Sequence, residues 1–519
     1  MTKRVFVLLL AITALTGLAL AAFSTPKGLG LVNDSVAYIN GARGLVEGSG
    51  YGRLAGDGTI KPITHFPPGF SVVLALFGLV GMDAIPAARI VNLGLFALNI
   101  VLVGLLAQRA ARSPWAGVLA AALFAFSDAL LGVHAYALSE PLFLTFTMGA
   151  MLALLRAVEL FPPKVYNSGW VMALIVSGDL AGLAYLTRYV GLALLPVGTL
   201  ALLLVAGSWK QKLQRAAIFL GSALAWIVVW TVRNAALVGS ATNRTFGYHA
   251  IPAQNVLDGV RNLWAFALPR RIPLVDWLPG GLWVALTGLG LALLAAGLVW
   301  GLLRALRGQR ESLAAWLVGL HLAAYLVMIV LSMTFVDAST TFEDRILAPV
   351  FADAIILLAW GFTRAAQRAG SSTRPALIAL AVLLALSFAD DARKTALELR
   401  VDGQGFASSY WSNSEVMDGV RRLPEGVTIY SNRISALTLL ADRQAIAMLS
   451  PIDPVTREPR PNFERTQAII REAVLEGRAV LVVFTVEELD GIDWFEALVD
   501  GVPVMIDAPE GRIYGRLDE

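Results

Sequence analysis

Long apolar runs dominate the first three quarters of the chain. They lie near 5–23, 84–107, 115–132, 140–160, 169–187, 189–206, 216–236, 281–303, 312–332, 346–363 and 375–389. Each is close to the ~20 residues that a helix needs to cross a bilayer, so the pattern predicts about eleven transmembrane helices. Only Thr187, Arg188 and Tyr189 separate the fifth span from the sixth. Three shorter patterns stand between the spans. Val36, Ile39 and Leu45/Val46 recur at helical spacing, which predicts a short helix over Ser35–Val46 lying on the membrane surface. Phe70–Gly81 is apolar but too short to span, and reads as re-entrant or interfacial. Val256-Leu257, Val260, Leu263-Trp264 and Ala267-Leu268 predict a second surface helix.

Beyond about residue 390 the pattern changes period. Apolar runs shorten to strand length at Val427–Tyr430, Ala445–Leu449, Val480–Thr485 and Val502–Ile506, and Pro503 confines the last to a sheet edge. Arg465–Glu476 and Val486–Leu498 carry helical patterning. The expected architecture is a polytopic α-helical membrane domain over 1–389, which includes a first outer segment, 24–69. A soluble α/β domain follows over 390–519. No internal repeat is visible, which argues against the duplicated design of many transporters.

Composition agrees with a membrane protein. Hydrophobic residues make up 57% of the 519 and charged residues 15%, more apolar surface than a soluble fold can hide. The net charge of +3 gives no basis for a nucleic-acid partner. Absence of cysteine excludes disulfides and thiolate metal sites, and four histidines leave little for a histidine metal cluster.

Charge placement predicts orientation. Lys3 and Arg4; Arg109 and Arg112; Arg156 and Lys164; Lys210, Lys212 and Arg215; Arg304, Arg307 and Arg310; and Arg364, Arg368 and Arg374 all fall on one side of the span count. That side is the cytoplasmic one, so the C-terminal domain is expected outside the cytoplasmic membrane. Ala19-Leu20-Ala21 resembles a signal-peptidase site, but the first run is long enough to span and is read as a retained helix.

Candidate chemistry gathers on the outer side. Asp34, Tyr38, Lys61 and His65 lie in the first outer segment; Asp128, His134 and Glu140 flank the next outer turn. Arg188 stands at the third, and Glu343, Asp344 and Arg345 at the fifth. Acids and cations from separate segments at one membrane depth predict a cavity. Asp179, His321 and Asp353 fall near mid-bilayer, where interhelical hydrogen bonds explain them as well as function does.

Asp34-Ser35-Val36-Ala37-Tyr38, a Gly-rich stretch and His65-Phe66-Pro67-Pro68-Gly69-Phe70 follow one another ahead of an apolar run. With Ser139-Glu140-Pro141-Leu142-Phe143, Leu186-Thr187-Arg188-Tyr189 and Arg345-Ile346-Leu347-Ala348-Pro349, this order resembles the GT-C glycosyltransferases, nearest the protein O-mannosyltransferase and aminoarabinose transferase group. The resemblance covers roughly residues 5–370. It implies a polyprenyl-phosphate sugar donor, a hydroxyl acceptor on a lipid, glycan or protein at the outer face, and Asp34 as catalytic base. Many relatives carry a second acid after that Asp, where this chain has Ser35, and some carry Lys where it has His65.

The residue chemistry is compatible with that implication. A carboxylate can take the acceptor's proton, and guanidiniums can meet the charge growing on a departing phosphate. Arg188 and Arg345 are the expected phosphate ligands, with His65 and Lys61 beside them; Tyr38, His134, Glu140, Glu343 and Asp344 are expected to line the cavity. The outer segments contain no Asp-x-Asp, so no cofactor is expected, although a divalent metal in place of the arginines stays open. A structural reading of Asp34 competes with the catalytic one, because Asp-Ser before an amphipathic stretch is a good helix N-cap. A transporter of lipid-linked or polar solutes, and a non-catalytic envelope assembly protein, are the rival functions.

Overall fold

The structure, a computed structural model, describes residues 1–54, 59–161, 168–268, 270, 274–306 and 313–516. Lys164, Arg307 and Arg310 lie outside these. Helix α1 (Lys3–Ser24) leads into α2 (Asn33–Val46), a small hairpin of β1 (Gly52–Leu54) and β2 (Ile60–Pro62), and the short α3 (Gly69–Gly78). Then come α4 (Ala84–Ala111), α5 (Pro114–Ala125), α6 (Asp128–His134), α7 (Glu140–Leu160), α8 (Gly169–Thr187), a 3₁₀ turn (Tyr189–Ala193) and α9 (Leu194–Leu204). The bundle continues with α10 (Trp209–Val238), α11 (Ala253–Ala267), α12 (Leu274–Trp277), α13 (Gly280–Leu306), α14 (Leu313–Phe335), α15 (Asp344–Arg368) and α16 (Arg374–Asp402).

Nine helices among the described residues are long and apolar enough to cross a membrane, and α5 with α6 makes a tenth only if the bent pair counts as one. Two of the eleven expected spans are therefore not straight crossings. The third breaks by 62° after α5, where the Ser127 hydroxyl accepts the Leu130 amide at 3.2 Å and starts α6 as a new helix. The sixth is short because Arg188 adopts an extended backbone (φ −150°, ψ 133°) and a 3₁₀ turn precedes α9.

Helix α4 stands at the centre of the bundle, packed by α1, α5, α7, α14 and α15. Phe96, Phe124, Phe143 and Phe351 are fully buried there, while Val229, Leu293, Val299 and Leu383 on the periphery are exposed, as befits a lipid-facing surface. Helices α8 and α10 approach closely because Gly178 and Gly182 lie one turn apart. A Cβ on Gly178 would stand 2.3 Å from the Phe219 carbonyl oxygen.

The C-terminal part comprises α17 (Ser409–Ser412), α18 (Glu415–Arg422), β3 (Thr428–Ser431), α19 (Ile434–Leu440), β4 (Ile446–Ala447), α20 (Phe463–Leu475), β5 (Ala479–Phe484), α21 (Asp493–Val499), β6 (Val504–Ala508) and β7 (Gly511–Tyr514). The five strands run in the order β4-β3-β5-β7-β6, with β3 parallel to β4 and β5, and β7 antiparallel to β5 and β6. The Pro503 segment does form the edge, and β7 is a strand the pattern did not announce. Central β5 is buried on both faces: Ala479, Leu481 and Val483 meet α20 and α21, and Val480, Val482 and Phe484 face the other way.

That second face is shared: its core is continuous with Tyr38, Ile39 and Ala42 of α2 and with Phe70 and Leu74 of α3. Helix α2 thus packs against the sheet domain. Helix α16 runs unbroken past residue 390 to Asp402. Just beyond it the chain pairs with the first segment, through a parallel bridge between Leu31 and Gly405 and a Phe406 N–H bond to the Leu31 oxygen at 2.8 Å. Gly405 sits at φ +54°, and a Cβ there would stand 2.2 Å from that same oxygen.

Candidate functional site

A polar cavity of ≈ 620 Å³ opens where α2, α6, α11, α15 and the end of α16 converge. Its charged lining is Asp34, Asp128, Glu343 and Asp344 against Arg270 and Arg345. Helix α2 delivers Asp34. Val32, with no side-chain polar group, precedes its first turn, and the Ser35 hydroxyl accepts the Val32 amide at 3.1 Å. Asp34 is therefore not the N-cap; its carboxylate instead accepts the Arg345 Nη1 at 2.8 Å.

Arg345 comes from the first turn of α15, and its Nε also donates to Glu343 at 3.2 Å. Three residues on one face of α11 hold the segment leading to it. The Asn255 amide donates to the Thr340 oxygen (3.0 Å) and accepts the Phe342 N–H (3.1 Å), and Asn262 donates to the Phe342 oxygen (2.7 Å). Gly259 between them leaves room for the Phe342 ring. The spacing 255, 259, 262 is one helical stripe.

Behind the cavity lies a second pair. Arg188, at the break after α8, donates to Glu140 at the start of α7 at 2.5 Å. Glu140 is 1% exposed, and its second oxygen, Oε2, has no hydrogen-bond partner among the described residues. Neither residue lines the 620 Å³ cavity. Tyr38, one turn after Asp34, bonds the Ser139 hydroxyl at 3.0 Å and packs edge-on against Phe66 and Phe70. Burial raises its phenol far above the ordinary range, with the charges of Asp34 and Glu140 adding and that of Arg188 opposing, so it stays neutral.

His65 is half-buried beside the Arg244–Asp337 ion pair (2.7 Å). Burial first, and then the Arg244 charge, hold its imidazole below the ordinary 6.5. A neutral ring near neutral pH offers a phosphate a hydrogen bond but no charge. Lys61 lies on β2, an exposed strand of the hairpin, outside the cavity lining.

His134 does not belong to the cavity. It is 2% exposed, bonded to the Leu130 oxygen (2.7 Å) and Asn99 (3.1 Å), and enclosed by Phe96 and Phe124. Its polar atoms are spent inside the bundle. The other ionisable residues inside the bundle are paired between helices: His321 bonds Asp353 at 2.6 Å between α14 and α15, and Asp179 accepts the Trp226 indole at 3.1 Å.

Arg270 escaped the sequence reading. It binds Asp128 at 2.6 Å, Thr395 at 3.2 Å and, through its backbone amide, Asp391 at 3.2 Å, joining α6 to α16. No sequence signal singled it out, because Arg244, Arg261 and Arg271 stand in the same segment. Among the described residues no group of three or more histidines and carboxylates is arranged to hold a metal ion.

A mainly helical membrane bundle with a polar cavity and a small C-terminal sheet domain is the GT-C architecture, and the chain resembles the GT-C glycosyltransferases. A family model described as dolichyl-phosphate-mannose-protein mannosyltransferase matches residues 76–239, a stretch that holds Glu140 and Arg188 but neither Asp34 nor Arg345. The fold is similar to that of ArnT from Cupriavidus metallidurans, solved bound to undecaprenyl phosphate (TM-score 0.54, 15% identity, 99% of this chain and 98% of that one). It is also similar to the oligosaccharyltransferase AglB from Archaeoglobus fulgidus, solved with an inhibitory peptide and a dolichol-phosphate (TM-score 0.60, 12% identity, 94% and 70%). No curated protein sequence matches the chain.

Proposed function

We propose that the protein transfers a sugar from a polyprenyl-phosphate donor to an acceptor hydroxyl at the outer face of the cytoplasmic membrane, with inversion and without a metal. The observation that carries this reading is the meeting of Asp34 and Arg345, 311 residues apart in sequence, at the wall of one polar cavity. Asp34 takes the proton of the acceptor hydroxyl as its oxygen bonds to the anomeric carbon. The bond from that carbon to the phosphate oxygen breaks, and the departing lipid phosphate carries the electron pair. Arg345 meets that charge at the cavity wall, and Arg188 supports it from behind.

Both guanidiniums are compensated in the free protein, Arg345 by Asp34 and Glu343 and Arg188 by Glu140. Arrival of a phosphate gives Arg345 a competing partner and releases the Asp34 carboxylate for the acceptor. Binding of donor and arming of the base are then one event. The fold's likeness to a protein holding undecaprenyl phosphate and the match to a mannosyltransferase family model support the donor class.

The test is Asp34→Asn in purified enzyme with a polyprenyl-phosphate sugar. Asn keeps shape and can still accept from Arg345 but cannot take the proton. The expected variant folds, binds donor and loses about 10²–10⁴ in transfer rate. Activity near the parent's would remove Asp34 from the role and move the search to Glu140 or Glu343.

A further inference from the structure

We infer that the half of the cavity walled by Asp128, Arg270, Asp344, Asn262, Thr395 and Gln404 seats the donor's sugar ring and admits only a sugar without negative charge. This rests on the donor reading above and extends it to the substrate's sugar. The cavity's size falls within the range of small-molecule sites. Its side chains come from α6, α11, the α11–α12 connection, α15 and the end of α16, so the pocket exists only in the assembled fold.

Arg270 donates to Asp128 and Thr395, and the Asn262 amide to the Phe342 oxygen. Among the described residues no hydrogen bond or ion pair engages the Asp344 carboxylate. Among the described residues, Gln404 Oε1 is buried and has no partner. These open acceptors, Asp344 and Gln404 Oε1, require O–H or N–H donors from the ligand. Sugar hydroxyls supply them. A uronate carboxylate would bring a further acceptor, and a negative charge, to a cavity whose walls already hold four carboxylates against two guanidiniums. The phosphate avoids the same repulsion by lying at Arg345, toward Asp34.

The test uses the full chain in lipid nanodiscs and three probes: undecaprenyl phosphate, undecaprenyl-phosphate glucose and undecaprenyl-phosphate glucuronate. The parent should bind the glucose conjugate about tenfold or more tighter than the glucuronate. Asp344→Asn should shrink that ratio to about threefold or less. Gln404→Ala should weaken the glucose conjugate by about two- to tenfold. Both variants should bind sugar-free undecaprenyl phosphate as the parent does, which also shows that they are folded. Equal affinity of the parent for the two conjugates, or an unchanged ratio in Asp344→Asn, would overturn the inference while leaving the donor reading intact. Failure of all three lipids to bind would instead defeat the donor reading. Loss of the glucose preference on adding EDTA would assign the carboxylates to a cation and overturn the inference as well.

Discussion

Arg345 holds two carboxylates at once, Asp34 through Nη1 and Glu343 through Nε, a use of the planar fork that an ammonium cannot copy. Arg345→Lys should therefore lower donor affinity or rate by about ten- to a hundredfold although charge is kept. Arg188→Lys should cost a similar factor through the Glu140 pair. Steady-state kinetics on folded variants checks both; full activity in the two together would end the phosphate assignment. His65 carries a pH signature. Its folded pKa is depressed, so between that value and about 6.5 the unfolded chain binds more protons than the folded one. Its contribution to stability is whole above about pH 6.5 and is lost as pH falls. Melting of the parent should drop between pH 7 and 5.5 more steeply than melting of His65→Gln, and parallel profiles would show that the ring is not held neutral. At this scale the sequence marked Asp34, Arg345, Glu343 and Asp344 as cavity residues. It could not distinguish them from His134, because an ionisable group near a span end looks alike whether it faces a cavity or an asparagine one helix away.

Among the elements, α11 does the positioning. Its stripe of Asn255, Gly259 and Asn262 grips the backbone of 340–342, immediately before the Glu343-Asp344-Arg345 run. Asn255→Ala removes two hydrogen bonds, worth about 1–3 kcal/mol together, from a segment close to the Asp34–Arg345 pair and touches neither. The expected result is a fall in kcat of about tenfold with little change in sugar-free lipid binding. An unaltered kcat would confine Asn255 to a structural role. The apolar pattern announced this helix, Ala253–Ala267. Its polar stripe, which carries the functional information, is complementary to a segment some 80 residues away and is invisible to a periodicity count. The break at Arg188 has the same origin. Three residues between two apolar runs read as a turn between two spans, whereas the structure uses the extended residue to project a guanidinium toward Glu140.

For the molecule as a whole, side is the first question. Alternate helix ends carry the basic residues, among them Lys3, Arg109, Lys210, Arg304 and Arg374, while the cavity and the sheet domain lie at the opposite ends. Reporters fused after Gly207 should be cytoplasmic and one after Asp402 extracytoplasmic. The reverse result would put the cavity in the cytoplasm and remove the outer-face proposal. The sheet domain is tied to this side by more than a linker. Phe406, Trp411, Val480 and Phe484 share one core with α2 and α3, and Arg400 donates to the Phe23 oxygen at 3.1 Å. Helix α2, the carrier of Asp34, thus takes its position partly from residues more than 400 positions away.

What the sequence by itself determined follows from solvent: twenty-residue apolar runs pack as long helices, and a period change near residue 390 marks another kind of packing. These are local properties, summed along the chain, and the structure keeps them with adjustments at Ser127, Arg188 and Asp402. Only the tertiary structure decided which charges meet. It paired Asp34 with Arg345 and Glu140 with Arg188, enlisted Arg270, retired His134 to the core and folded the C-terminal sheet over α2. An ion pair is worth little until both partners are brought within a few ångströms in a medium poorer than water, and no feature of either local sequence states that distance.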